Sequence, residues 1–393
     1  MSLILPSFSI KGFFFNFCFI LFYIIPISAI STENTYTNSS KTYLYNISNN
    51  NDNDKRQLRN EIILLNVPDI IMIGAMKAGT TSFHKIMVDK SSGKLCDSGE
   101  KEKHFFNSKD YAIHYKEHVT YFKNEYKNCK PGQLTMDSTP GYSVNDMTVG
   151  RIQESYSSED LAKKKFMLLL REPVARHYSE YQMMVRNCLD QNGFLELEGE
   201  VNNKGILRLE KWVNACNGVS ANLKWLKGRD IKTDHSPPPI MTFGEWTRAL
   251  QGKEELRRGR YLELIKRYLK IIRRDQLFII NFRSIIYNTT DTLRRTYQYL
   301  GLNVNVTTDV KLPTIPAQEK HPNTILDCKT VDQLTKYFNI QNDGLNEILI
   351  SSKRNKFEPD FGEWDDTRSK CIGESKVKMD ITQDDDFSTM FDD

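Results

Sequence analysis

Apolar positions in this chain follow two alternating patterns. Apolar runs at Ile70-Ile71-Met72-Ile73, at Lys165-Phe166-Met167-Leu168-Leu169-Leu170 after its leading lysine, and at Leu277-Phe278-Ile279-Ile280 read as strands of a parallel sheet buried on both faces. Between and after them, apolar residues recur at helical spacing. Val174, Tyr178, Tyr181 and Val185 mark one helix face; Tyr261, Leu264, Ile265, Tyr268, Leu269 and Ile272 mark another; Leu293, Tyr297 and Leu300 mark a third. Pro173 suits a first helical position, and Gly301 suits the left-handed residue that closes a helix. A helical pattern also opens over 82–88, and 330–338 and 345–349 read as closing helices. The alternation predicts an α/β fold, a P-loop-like three-layer domain whose mainly parallel central sheet is flanked by helices. From Gly193 to Gly244 the pattern is irregular, and Pro237-Pro238-Pro239 breaks any helix there. Regular structure is expected to return at Gly259.

The N-terminus departs from both patterns. After Lys11, residues 12–30 carry no charge, and their length matches a helix that spans a bilayer. A cleaved signal peptide is the rival reading, with small residues at Ser28 and Ala29. The run is long for a signal peptide, which favours an uncleaved signal anchor with residues 1–11 cytoplasmic. Either way the rest of the chain enters the secretory lumen. Residues 31–66 are rich in Asn, Ser, Thr and Asp and read as a flexible stem. The folded domain is expected over 67–365, and the acidic stretch 366–393, poor in apolar residues, as a disordered tail.

Composition refines this picture in two places. A net charge of +4 over 393 residues gives no case for a nucleic-acid partner. Six cysteines lie beyond the apolar N-terminal run: Cys96, Cys129, Cys188, Cys216, Cys328 and Cys371. An even number in an oxidising compartment suggests disulfides, with connectivity open. None forms a CxxC pair, which argues against zinc. Asn38, Asn46, Asn288 and Asn305 head glycosylation sequons, which gain weight only from the lumenal address.

The first strand run leads into Gly74-Ala75-Met76-Lys77-Ala78-Gly79-Thr80-Thr81. In a strand–loop–helix unit, free backbone N–H groups and the positive helix end gather where an anion can bind. Gly74 and Gly79 let the backbone come close to such a ligand. The spacing is near that of an ATP-binding P-loop, but Thr80 stands where that motif has lysine, and Lys77 comes three positions early. This argues against an ordinary kinase or GTPase and for another phosphate-bearing donor. Candidate anion contacts are Lys77, Ala78, Gly79, Thr80 and Thr81.

Three later stretches add chemistry. Glu100-Lys101-Glu102-Lys103-His104-Phe105-Phe106 places a carboxylate two residues before a histidine; on spacing alone it also fits a solvated charge run entering the core. Met136-Asp137-Ser138-Thr139-Pro140-Gly141-Tyr142-Ser143 is the second. The third is Arg171-Glu172-Pro173-Val174-Ala175-Arg176-His177-Tyr178-Ser179, which follows the second strand run. A guanidinium offers a planar fork to phosphate oxygens, and a hydroxyl adds a donor.

Together these motifs resemble the Golgi carbohydrate sulfotransferases, with the heparan sulfate sulfotransferases as the nearest named group, over roughly residues 66–365. The resemblance implies 3′-phosphoadenosine 5′-phosphosulfate (PAPS) as donor, its 5′-phosphosulfate on the Lys77 loop and its 3′-phosphate on Arg171 and Ser179. It implies Glu102 as catalytic base with His104 beside it, and Lys77 stabilising charge on the transferring group. Lys320 and His321 are candidates for a basic loop near the adenosine. The irregular 193–244 stretch would be an acceptor-binding insertion, and the acceptor a glycan or proteoglycan. No acidic metal cluster accompanies the loop, so no metal is expected. One departure stands out: where the heparan sulfate enzymes place a lysine that reaches the active site, this chain has Ser138. A non-catalytic glycan-binding protein of the same fold, or a P-loop nucleotide kinase, remains the alternative.

Overall fold

The computed structural model describes residues 68–97, 99, 101–109, 111, 118–189, 216, 218–219, 240–250, 254–306, 310 and 324–373. The expected anchor and stem, Lys320 and His321, and most of the irregular 193–244 stretch lie outside the described residues. Among the described residues, five strands form one parallel sheet: β1 (Ile70–Gly74), β2 (Leu95–Cys96), β3 (Leu134–Ser138), β4 (Lys165–Leu170) and β5 (Leu277–Asn281), in the order β2-β3-β1-β4-β5. Ile70 stands opposite Met136 on one side and Lys165 on the other, and Phe166 stands opposite Leu277. Every residue of β1 and β5 is buried, which is why those runs show no polar alternation.

The connections are helical, as parallel pairing requires. The helices are α1 (Thr80–Lys90), α2 (His118–Glu125), α3 (Asp146–Ser155), α4 (Ser158–Lys163), α5 (Pro173–Leu189), α6 (Phe243–Ala249), α7 (Glu254–Arg257), α8 (Tyr261–Tyr268), α9 (Phe282–Tyr287), α10 (Thr289–Leu300), α11 (Cys328–Gln341) and α12 (Leu345–Leu349). The sheet core takes Phe83 and Met87 from α1, Tyr261, Leu264, Ile265 and Tyr268 from α8, and Leu293 and Tyr297 from α10. The buried Tyr297 finds a partner, its hydroxyl donating to the Met87 carbonyl at 2.7 Å. A second apolar cluster joins Val174, Tyr181 and Val185 of α5 to Phe243, Trp246, Val331 and Phe338.

Strand order reverses at β1. From β1 the chain moves through β2 and β3 on one side, then crosses to β4 and β5 on the other. The topological switch point therefore lies at the carboxyl ends of β1 and β4, where open α/β sheets take their ligands.

Several expectations change here. Helix α6 sits just before the point where regular structure was expected to return. It is opened by a capping box in which Thr242 Oγ1 accepts from Glu245 N and Glu245 accepts from Thr242 N; that Thr-x-x-Glu signature was readable in the sequence. Strand β3 was read as a motif rather than a strand, because LTMDS is too polar for a buried run. Beyond the expected boundary at 365 the chain stays structured. Thr367 Oγ1 donates to Glu172, a 3-10 turn spans Arg368–Lys370, and Cys371 is bonded to Cys328. The cysteines pair as Cys96–Cys129, Cys188–Cys216 and Cys328–Cys371. Of the sequon asparagines among the described residues, Asn288 and Asn305 are both exposed.

Candidate active site

The loop after β1 turns by left-handed backbone. Lys77 has φ 67° and Gly79 φ 82°. Only glycine serves at 79, since a Cβ there would stand 2.7 Å from a ring carbon of Phe282. Gly79 caps α1 without a side-chain hydrogen bond, and no acidic residue sits in the first turn. The positive end of α1 is thus left open to an anion. Thr80 and Ala78 are buried, Lys77 is half-buried and Thr81 is exposed. Burial pushes the Lys77 ammonium below its ordinary pKa, helped by the nearby positive charges of Arg186 and Arg171.

Arg171 leaves the end of β4 and closes over this loop. Its Nη1 donates to the Lys77 carbonyl at 3.2 Å. The guanidinium lies 4.8 Å from the centre of the Phe282 ring, and the Arg171 carbonyl accepts from Tyr261 Oη at 2.7 Å. Burial presses its pKa down from the usual arginine value. Its Nε is buried with no hydrogen-bond partner among the described residues. The ends of β1, β4 and β5 therefore converge through Lys77, Arg171 and Phe282. Ser179 lies half-buried on α5, eight residues on from Arg171. Below it, Arg176 and Glu180 form an ion pair at 2.7 Å, both almost wholly buried, and Arg258 closes on the same carboxylate.

The Glu102 segment is built from unusual backbone. Glu102 has φ 69° and His104 φ 55°, both left-handed for non-glycine residues. Glu102 Oε2 is 3.6 Å from His104 Nε2, and Oε1 accepts from Lys101. Lys103 pairs with Glu125 of α2, and the backbone N–H of His104 donates to Thr139 Oγ1 at 3.3 Å. Thr139 in turn donates to Asp137 at 2.7 Å, as does Tyr142 Oη at 2.7 Å. Burial raises the Asp137 pKa against the pull of these two donors.

Ser138, standing where the resemblance places a lysine that reaches the active site, is turned into the protein. It is 2% exposed and shares a hydrogen bond with His84 Nδ1 at 2.8 Å, while His84 Nε2 lies 3.1 Å from Asp97 Oδ2. Hydrogen bonding from His84 holds the Asp97 carboxyl below its usual pKa. His84, Arg186 and Phe282 went unnoticed in the sequence. For His84 the only signal was a lone polar ring on a helix face otherwise apolar.

Among the described residues, no group of three or more His, Cys, Asp or Glu could hold a metal ion, and no helix is long and apolar enough to cross a membrane. Residues 67–392 match the family model described as a sulfotransferase domain. The chain belongs to the sulfotransferase family. The chain is 25% identical over 183 residues to human heparan sulfate glucosamine 3-O-sulfotransferase 5, covering 46% of each chain. It is 31% identical over 123 residues to the membrane-associated sulfotransferase kil1 of Dictyostelium discoideum, covering 31% of this chain and 24% of that one. The chain thus spans under half the length of the curated relatives it matches. A crystal structure of a sulfotransferase from Alicyclobacillus acidocaldarius aligns with TM-score 0.44 at 20% identity, over 72% of this chain and 96% of that one.

Proposed function

We propose that this protein transfers a sulfuryl group from PAPS to a hydroxyl or amine of a glycan or proteoglycan in the secretory pathway. The observation that carries the reading is the pairing of Arg171 with the Lys77 loop at adjacent strand ends. The buried Arg171 Nε without a partner fits a donor that bears a second phosphate, because an orphaned buried donor is costly unless a ligand satisfies it. Ser179, and Lys320 with His321 beyond the described residues, would complete the grip on the 3′-phosphate and adenosine.

PAPS supplies an activated sulfuryl group on the 5′-phosphate. Glu102 takes the proton from the acceptor hydroxyl or amine, with His104 beside it. The acceptor atom bonds to sulfur as the bond from sulfur to the 5′-phosphate oxygen breaks, releasing 3′,5′-ADP. Lys77, together with the N–H groups from Ala78 to Thr81 at the helix end, would hold the charge that grows on the leaving oxygen. Positioning and fixed charge carry most of the work, with no metal in the scheme.

The acceptor follows from weaker signs. Ser138 supplies no positive charge where the heparan sulfate enzymes have lysine, which favours a glycan of lower charge density than heparan sulfate. The uncharged 12–30 segment would anchor the enzyme in the Golgi membrane with its domain lumenal. Radiolabelled sulfate transfer from PAPS to a panel of glycans tests the reading. Label should appear on a weakly charged glycan at an ionic strength where highly sulfated heparan gains little. Strong preference for sulfated heparan, falling steeply with salt, rejects the acceptor class. No transfer to any glycan, with ATP bound as well as 3′,5′-ADP, rejects the function.

A further inference from the structure

Two adjacent residues at the end of β3 reach to the chain on either side of Glu102. Thr139 does so directly, accepting from the His104 backbone N–H at 3.3 Å. Ser138 does so through His84, whose other ring nitrogen lies 3.1 Å from Asp97, five residues before Glu102. Asp97 is itself fixed, because its neighbour Cys96 ends β2 and is bonded to Cys129.

The ring also belongs to α1. His84 lies one turn after Thr80 on the buried face of the helix that the Lys77 loop opens. One imidazole therefore joins three pieces of the proposed site: the phosphosulfate-loop helix, the strand that ends at Ser138, and the root of the Glu102 segment. Its tautomer is set by its partners. The ionised Asp97 carboxylate accepts from Nε2–H, so Nδ1 is left to accept from the Ser138 hydroxyl. Both hydrogen bonds are directional, so the ring has one orientation. Ser138 is too buried to touch an acceptor, which leaves the chain an orienting role rather than a nucleophilic one.

We propose that His84 is a positioning residue for sulfuryl transfer, the centre of an Asp97–His84–Ser138 chain that holds the Glu102 segment in register with the Lys77 loop. This rests on the reading of Glu102 as the base. Left-handed backbone is uncommon at a non-glycine residue such as Glu102, and it persists where surrounding contacts hold it.

The test uses the full-length protein and three changes: His84→Leu, His84→Gln and Glu102→Gln. Transfer of radiolabel from PAPS to the glycan panel gives kcat and KM, calorimetry gives 3′,5′-ADP affinity, and hydrogen exchange reports the 101–107 backbone. His84→Leu should lower kcat by roughly 10- to 100-fold, the scale of a small misplacement of a reacting group, with donor KM and 3′,5′-ADP affinity unchanged. Exchange over 101–107 should rise while exchange over 74–81 stays as it was. His84→Gln, which can still donate to Asp97 and accept from Ser138, should recover most of the loss. In the Glu102→Gln background, His84→Leu should cost almost nothing more, because the group it orients is already gone.

An equal loss in both backgrounds would overturn the proposal, placing His84's effect elsewhere. So would unchanged exchange over 101–107, or a lost 3′,5′-ADP affinity, which would assign His84 to the donor loop. If His84→Leu does not fold, failure of His84→Gln to retain activity and protection overturns it in the same way. Full activity in Glu102→Gln alone would instead reject the base itself, an outcome the exchange data separate from failure of the His84 chain.

Discussion

Arg171 donates from Nη1 to the backbone carbonyl of Lys77 at 3.2 Å, tying the exit of β4 to the loop after β1. One guanidinium thereby shapes the proposed phosphosulfate loop and keeps its Nε free for an anion. Arg171→Ala should weaken the preference for 3′,5′-ADP over 5′-AMP by ~1–3 kcal/mol, the range for a charge-assisted contact. Arg171→Lys should restore little of it, since an ammonium lacks the planar fork. Calorimetry with the two nucleotides checks this. Equal affinities in the unmutated protein would remove the 3′-phosphate site.

Glu180 should matter for folding rather than for chemistry. It is 1% exposed and compensates both Arg176, which is fully buried, and Arg258. Removing one partner of a buried pair strands the other charge in a low dielectric. Glu180→Gln is expected to cost about 3–5 kcal/mol in urea unfolding. A single change within about 0.5 kcal/mol of the native protein, the usual size of a surface substitution, would contradict this picture.

His177 should make the protein acid-sensitive. It is fully buried, stacks on Trp246 with ring centres 4.6 Å apart, and meets Thr247 at 3.3 Å. Burial, then the charges of Arg176 and Arg258, hold its pKa well below the ordinary 6.5. Below that ordinary value the unfolded chain binds a proton that the folded chain refuses, so stability falls as pH drops. The slope from this one group approaches ~1.4 kcal/mol per pH unit. His177→Phe keeps the stack and should flatten the stability curve between about pH 6.5 and 5. Parallel curves for the two proteins would show that the residue does not titrate on unfolding.

The disulfide between Cys328 and Cys371 closes a separation of 43 residues and pins the chain beyond Trp364 beside α11. Replacing both cysteines by serine should lower stability by about 3–4 kcal/mol, most of it through a looser unfolded chain. Thermal unfolding without reductant checks this. An unchanged midpoint would mean that Thr367 with Glu172, and the bridge between Asp327 and Ile372, suffice to hold that stretch.

The sequence made β1, β4 and β5 legible and left β2 and β3 obscure, for a physical reason. β1, β4 and β5 are buried on both faces, so their residues had to be continuously apolar. Val174, Tyr181 and Val185 were recognisable because a helix with one buried face repeats at its own period. β2 has only Leu95 and Cys96, too short to show a pattern. Lys77 and Arg171 could be singled out because a glycine-bounded loop and an arginine at a strand end are visible in the sequence, and the structure brings the two together at 3.2 Å. The left-handed backbone of Glu102 and His104 was not readable, and the Thr139 hydroxyl that meets the His104 N–H lies 35 residues away. His84 stayed hidden for the same reason, its partners Asp97 and Ser138 being 13 and 54 residues away.

The most direct measurement is turnover by Glu102→Gln set beside its 3′,5′-ADP affinity. Glutamine keeps the size and polarity of the side chain but cannot take a proton at neutral pH. Sulfuryl transfer should fall by ~10²–10⁴-fold, the usual contribution of a positioned base, with nucleotide affinity and unfolding midpoint unchanged. Undiminished transfer by that variant would leave Glu102 as a surface carboxylate beside His104 and contradict the proposed mechanism at its centre.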